Sequence, residues 1–129
     1  MTEEKLISSI FLENDLLISF YDESKKIAVD RWQVTVTARI EILTAQVQFT
    51  RMDPEKRSEI LQVIGEKINY EKKLIRNFIE EKQKEEVVTA LYESFLQITR
   101  PYFSHRQFAE RFVIKTYADS LEKRKWVNS

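Results

Sequence analysis

The sequence predicts an α+β fold: an antiparallel β-meander of three to five strands in the N-terminal half, with about three helices in the C-terminal half packed on one sheet face. Three observations carry this. The run D-R-W-Q-V-T-V-T-A-R-I-E-I, Asp30 to Ile42, alternates apolar even positions (Trp32, Val34, Val36, Ala38, Ile40, Ile42) with polar odd ones, the period of a half-buried strand. After residue 53 the apolar spacing changes to that of helices, opened by cap signals at Asp53-Pro54, Asn77…Glu80 and Ser104…Gln107. Strand signals therefore dominate the first half and helix signals the second, which points to helices segregated on one face of an antiparallel sheet.

Leu6 to Leu12 is the first element. It fits a strand, but Leu6/Ile10 and Ile7/Phe11 also pair at helical spacing, so both forms stay open. Glu13-Asn14-Asp15 is a turn signal, Leu16 to Tyr21 the second strand, and Asp22-Glu23-Ser24-Lys25 a hairpin turn into a run starting near Lys26. Ile27 and Val29 are odd, whereas the apolar residues from Trp32 onward are even, so a β-bulge is expected at about Asp30-Arg31. Leu43, Ala45, Val47 and Phe49 are odd again, predicting a second bulge or bend after Ile42, with strand continuing to about Thr50.

Asp53 as N-cap and Pro54 at the first helical position open a helix over 54–64. It ends at Gly65, the single glycine of the chain, as a left-handed C′ residue. Residues 66–74, with Ile68, Tyr70 and Leu74 in phase, fit a lysine-rich edge strand or the start of a longer helix. Asn77 then caps a helix over about 78–99, which stops before Pro101 because the residue preceding a proline is pushed out of the α region. Ser104 caps the last helix, about 105–122, and the tail 123–129 frays. The 129 residues are read as one domain.

Composition excludes several chemistries. Lys plus Arg and Asp plus Glu number 21 each, so no whole-domain field draws phosphate polymers. With one glycine, neither a G-x-G-x-x-G nor a P-loop motif can be written. Cysteine is absent, which removes disulfides and thiolate ligands and fits a reducing compartment; a cytoplasmic location is expected. The acidic start M-T-E-E-K-L does not read as a secretory signal, and no window approaches the 18 apolar residues of a membrane span.

The candidate residues are few. Asp22, Glu23 and Asp30 bracket the predicted turn, where water screens them, so their recruitment as general acids or bases is disfavoured. Asp30 and Arg31 beside Trp32 read first as a pair pinning the bulge. His105, the only histidine, has no second imidazole to share a metal and reads as a surface residue at a helix start. Glu80 to Glu86 is charged all round, a solvated helix start with Glu80 and Lys84 at i, i+4. Phe95, Phe103, Phe108, Phe112 and Tyr117 read as core between helices and sheet, or as the lining of a cavity there. Lys115, Lys123, Arg124 and Lys125 with Trp126 form the only basic–aromatic combination.

The expected function is therefore a small non-enzymatic binding or interaction module, with no catalytic residue, cofactor or metal. Its partner is a protein, a second copy through the long β edge or a helical face included. The candidate binding surface is Asp30, Arg31, Trp32, Lys123, Arg124, Lys125 and Trp126. The alternative is a domain holding an apolar ligand between a curved sheet and its helices. Nucleic-acid binding through the basic tail ranks third, and no transmembrane segment is expected.

Overall fold

A computed structural model describes the backbone of residues 4–127 and the side chains of residues 4–124. The fold is α+β, as the sequence predicts. Five strands, β1 (Lys5–Phe11), β2 (Leu17–Asp22), β3 (Lys25–Ala28), β4 (Arg31–Leu43) and β5 (Lys67–Glu80), form one antiparallel sheet. Three helices follow the pattern of the second half: α1 (Pro54–Ile64), α2 (Lys84–Phe103) and α3 (Phe108–Val127).

β4 is the centre of the sheet. β5 pairs along its whole length, from Arg31↔Glu80 to Leu43↔Lys67. Its other edge takes β2 (Ile18↔Ile40 to Asp22↔Val36) and then β3 (Lys25↔Gln33, Lys26↔Trp32). The register runs on unchanged from β2 into β3, so the two are one strand across the predicted turn. The predicted hairpin at Asp22–Lys25 is thus corrected. The chain reverses at Val29-Asp30, because Ser24 completes the ladder: the Thr35 N–H donates to Ser24 Oγ at 3.0 Å, and the Glu23 N–H donates to the Thr35 carbonyl at 2.9 Å. The phase change at Asp30-Arg31 is this turn and not a bulge. Register shifts fall instead at Ile27 in β3, at Ile7 in β1, and at Asn77-Phe78 opposite Gln33.

The remaining differences have local causes. β4 stops at Leu43 and does not continue to Thr50: Thr44 bonds the Glu66 and Gly65 carbonyls (3.0 and 2.7 Å), and residues 44–46 turn into a 3-10 helix. Gly65 ends α1 at positive φ (82°), but with ψ −165°, an extended conformation essentially restricted to glycine and not the left-handed helical one. β5 extends to Glu80 because pairing with β4 outweighs local capping. Asn77 therefore sits in a strand, accepting from Gln33 Nε2 at 2.9 Å, and α2 begins at Lys84. α2 also runs through Pro101 to Phe103, whose ring lies fully buried 4.8 Å from Tyr70 and 5.2 Å from Phe108. Ser104 does not open α3 but closes α2, its N–H donating to the Arg100 carbonyl at 2.9 Å; its hydroxyl donates to Glu13, and the His105 ring accepts the Gln107 N–H at 3.1 Å ahead of α3. Helix continues through 123–127, residues predicted to fray.

One apolar cluster joins the layers. Val34, Val36, Ala38, Ile40 and Ile42 of β4, with Ile18 and Phe20 of β2, meet Val88 and Phe103 of α2, Ile60 of α1, and Phe108, Val113 and Tyr117 of α3. The even face of β4 predicted as the floor of the core is that floor. Among the described residues, no helix is long and apolar enough to cross a membrane.

Candidate functional site

The sequence candidates divide between two places. Asp30, Arg31 and Trp32 lie at the β3–β4 turn. Arg31 reaches the Asp30 carboxylate at 2.8 Å and Glu80 at 3.8 Å, while the Glu81 N–H donates to the Asp30 carbonyl at 3.1 Å. These bonds close the hairpin end onto the segment leaving β5, the pinning role that the pair suggests. Trp32 carries the Lys84 ammonium 4.5 Å from its ring centroid, and the same ammonium lies 3.4 Å from Asp22. Burial alone would raise the Asp22 carboxyl. The Ser24 hydrogen bonds and the Lys84 charge outweigh it and hold that carboxyl below the usual range. Lys84 is thus committed twice, to an anion and to an indole face. Lys123 and Arg124 lie exposed at the far end of α3, a helix that packs against α1. Among the described residues no contact joins them to the turn, and the side chains of Lys125 and Trp126 lie outside those residues.

The odd face of β4 is polar but not open. Thr37 is fully buried and Thr35 nearly so, which the alternation alone does not reveal. Long side chains of neighbouring strands close over them. Arg39 bridges Glu4 (3.0 Å) and Glu71 (3.3 Å) and lies 4.6 Å from the Tyr21 ring centroid. The Glu4 carboxylate, with Glu71, strengthens the protonated state of Arg39 further. Lys73 holds Glu23 at 3.0 Å. The buried Thr37 hydroxyl makes no hydrogen bond of ordinary geometry, but it lies beside the Glu23 carboxylate and, with Lys73, lowers its pKa. Around Thr35 and Thr37 this face is an ionic lattice whose charges answer one another.

A half-open cleft of about 730 Å3 lies at the end of the sheet, where β4 outruns β2. Leu16, Ile42 and Val47 line it beside Arg39, Glu41, Arg106 and Glu110. Its location differs from the expected space between sheet and helices, where aromatic rings meet at centroid distances of 4.8–6.3 Å. Several of its polar groups already have partners. Asn14 donates to the Phe103 and His105 carbonyls (2.8 and 3.0 Å), Glu41 meets Lys67 at 3.6 Å, and Glu110 accepts from the Thr50 N–H and hydroxyl (2.5 and 2.9 Å).

The two edges of the sheet differ in kind. β5 carries Lys67, Glu71, Lys72, Lys73, Arg76 and Glu80, the dense charge that keeps an edge from pairing with other chains. β1 holds no charge between Leu6 and Phe11, and among the described strands it pairs only with β2. Leu6 and Phe11 are 55% and 71% exposed. They sit opposite Tyr21 and Leu17, and Ser9 sits opposite Ser19 with their hydroxyls 2.9 Å apart. All three therefore lie on the face turned away from the helices. Because Leu6–Leu12 fits a strand or a helix in the sequence, its place at a sheet edge does not show there. The signal was available in the uncharged six-residue run L-I-S-S-I-F. Comparison with protein-family models, curated proteins and solved structures gives no match for this chain.

Proposed function

We propose that the chain is a non-enzymatic protein-interaction module whose working surface is the outer edge of β1. The observation that carries this reading is the contrast between the edges: β5 is guarded by six charged side chains, β1 between Leu6 and Phe11 by none. An edge strand offers a row of backbone donors and acceptors, and a partner segment in extended form completes the ladder while its side chains meet exposed apolar ones. Leu6 and Phe11 supply those contacts. The sequence candidates at Asp30–Trp32 are, on this reading, braces of the scaffold.

The test uses a labelled extended peptide of alternating isoleucine and serine, with terminal lysines for solubility, and fluorescence anisotropy. The expected result is saturable binding that weakens at least about tenfold when Leu6→Lys and Phe11→Lys are combined, since edge lysines block strand addition. No binding, or binding indifferent to the double substitution, overturns the reading. A small-molecule role for the end cleft ranks second: its volume of about 730 Å3 falls in the usual range for ligand sites, but much of its polar lining is bound internally.

A further inference from the structure

Resting on that reading, we infer that the strand added to β1 is the β1 of a second copy, so that two sheets join edge to edge about a two-fold axis through Ser9. A two-fold perpendicular to a sheet pairs identical strands antiparallel and keeps their faces aligned. Placed at Ser9, it sets Ser9 against Ser9 and Ser8 against Ile10. It brings Phe11 of each copy opposite the Leu6-Ile7 bulge of the other. The two exposed apolar residues of β1 thereby cover each other on the same outer face, because Leu6 and Phe11 both sit opposite odd residues of β2.

Charge favours the same alignment. The segment is flanked by Lys5 on one side and Glu13 on the other. Antiparallel copies set the two Lys5 ammonium groups at opposite ends of the joint. A parallel alignment would set Lys5 beside Lys5 instead. Both flanking acids are met within their own chain, Glu4 by Arg39 at 3.0 Å and Glu13 by Arg100 at 3.1 Å and the Ser104 hydroxyl, so the separation of the lysines is the charge term that selects the antiparallel alignment. Ser9 carries no charge to be buried at the axis, and its hydroxyl is bonded to Ser19. The opposite edge cannot offer an equivalent contact, since charged side chains recur along β5.

Sedimentation velocity of the full chain over a wide concentration range tests this, with circular dichroism confirming the fold of each variant. The expected result is a reversible monomer–dimer equilibrium, shifted at least about tenfold toward monomer by Leu6→Lys with Phe11→Lys. Both side chains are exposed, so the fold should tolerate them. Ser9→Lys, which sets two ammonium groups together at the axis, should act alone in the same direction. A dimer that survives these substitutions overturns the inference, because it must use another face. A monomer at every concentration overturns it too. In that case the isoleucine–serine peptide separates the claims: if it still binds β1, the edge accepts other strands and only self-pairing falls; if it does not, both fall.

Discussion

The Ser24 hydroxyl accepts the backbone N–H of Thr35 at 3.0 Å and carries one strand across a stretch that its sequence writes as a turn. Asp22-Glu23-Ser24-Lys25 has the composition of a hairpin loop, but here a side-chain oxygen stands where a backbone carbonyl would otherwise receive a ladder bond. Ser24→Ala should leave the buried Thr35 N–H without its acceptor and cost about 1–3 kcal/mol. Urea denaturation measures this, and hydrogen exchange should speed up at Thr35.

Acid should destabilise the fold through specific carboxyls. The Ser104 hydrogen bond lowers the Glu13 pKa; the Ser24 bonds and Lys84 lower that of Asp22 against its burial; Thr37 and Lys73 lower that of Glu23. A lowered folded-state pKa means the unfolded chain binds protons first. The stabilisation is therefore full above the unfolded values of about 4–4.5, and is lost as pH falls below them toward the lowered folded ones. Thermal melts should be flat from about pH 6 to 5 and drop steeply below about pH 4. Asp22→Asn should lower the neutral-pH melt and flatten the acid slope, because its share of the linkage is removed.

Glu110 fastens the segment between β4 and α1 by accepting both the N–H and the hydroxyl of Thr50. Glu110→Ala should release this segment locally. Because Thr50 is solvent-accessible and can hydrate, the global cost should be about 1 kcal/mol. Limited proteolysis near Arg51 should accelerate far more than global unfolding does.

Phe78 stands at φ 57°, in the bulge of β5, with its ring 74% exposed. A bulky residue in the left-handed region costs about 1–2 kcal/mol that asparagine largely avoids. Little packing is lost when so exposed a ring is removed. Phe78→Asn should therefore stabilise the protein by about 1 kcal/mol, seen as a higher urea midpoint with an unchanged denaturant slope.

Legibility in the sequence followed the range of the interactions involved. α1 was readable to the residue, because Asp53, Pro54 and Gly65 act within one turn of each end and Asp53 does accept the Lys56 N–H at 2.8 Å. The buried face of β4 was equally plain from its period. The length of β5 was not, since its pairing with β4 is a long-range choice that overrode a cap-like Asn77. α2 ran past Pro101 for a similar reason: Phe103 finds its burial against Tyr70, a residue remote in the sequence. The phase slips were detected but misplaced, because alternation records that a strand changes face and not which strand of the pair absorbs the extra residue. For the candidate surface, the Asp30–Arg31 pair was legible as a brace. The β1 edge was not, because edge status belongs to the topology and not to any single segment.

The central claim is that β1, and not β5, is the edge at which the chain meets a partner. Residue-resolved amide exchange at low and high protein concentration tests it most directly. The account predicts that the amides of β1 between Leu6 and Phe11 that point away from β2 gain protection with concentration, while outward amides of β5 do not change. Self-association that leaves β1 exchange untouched, or that protects β5 instead, would contradict it.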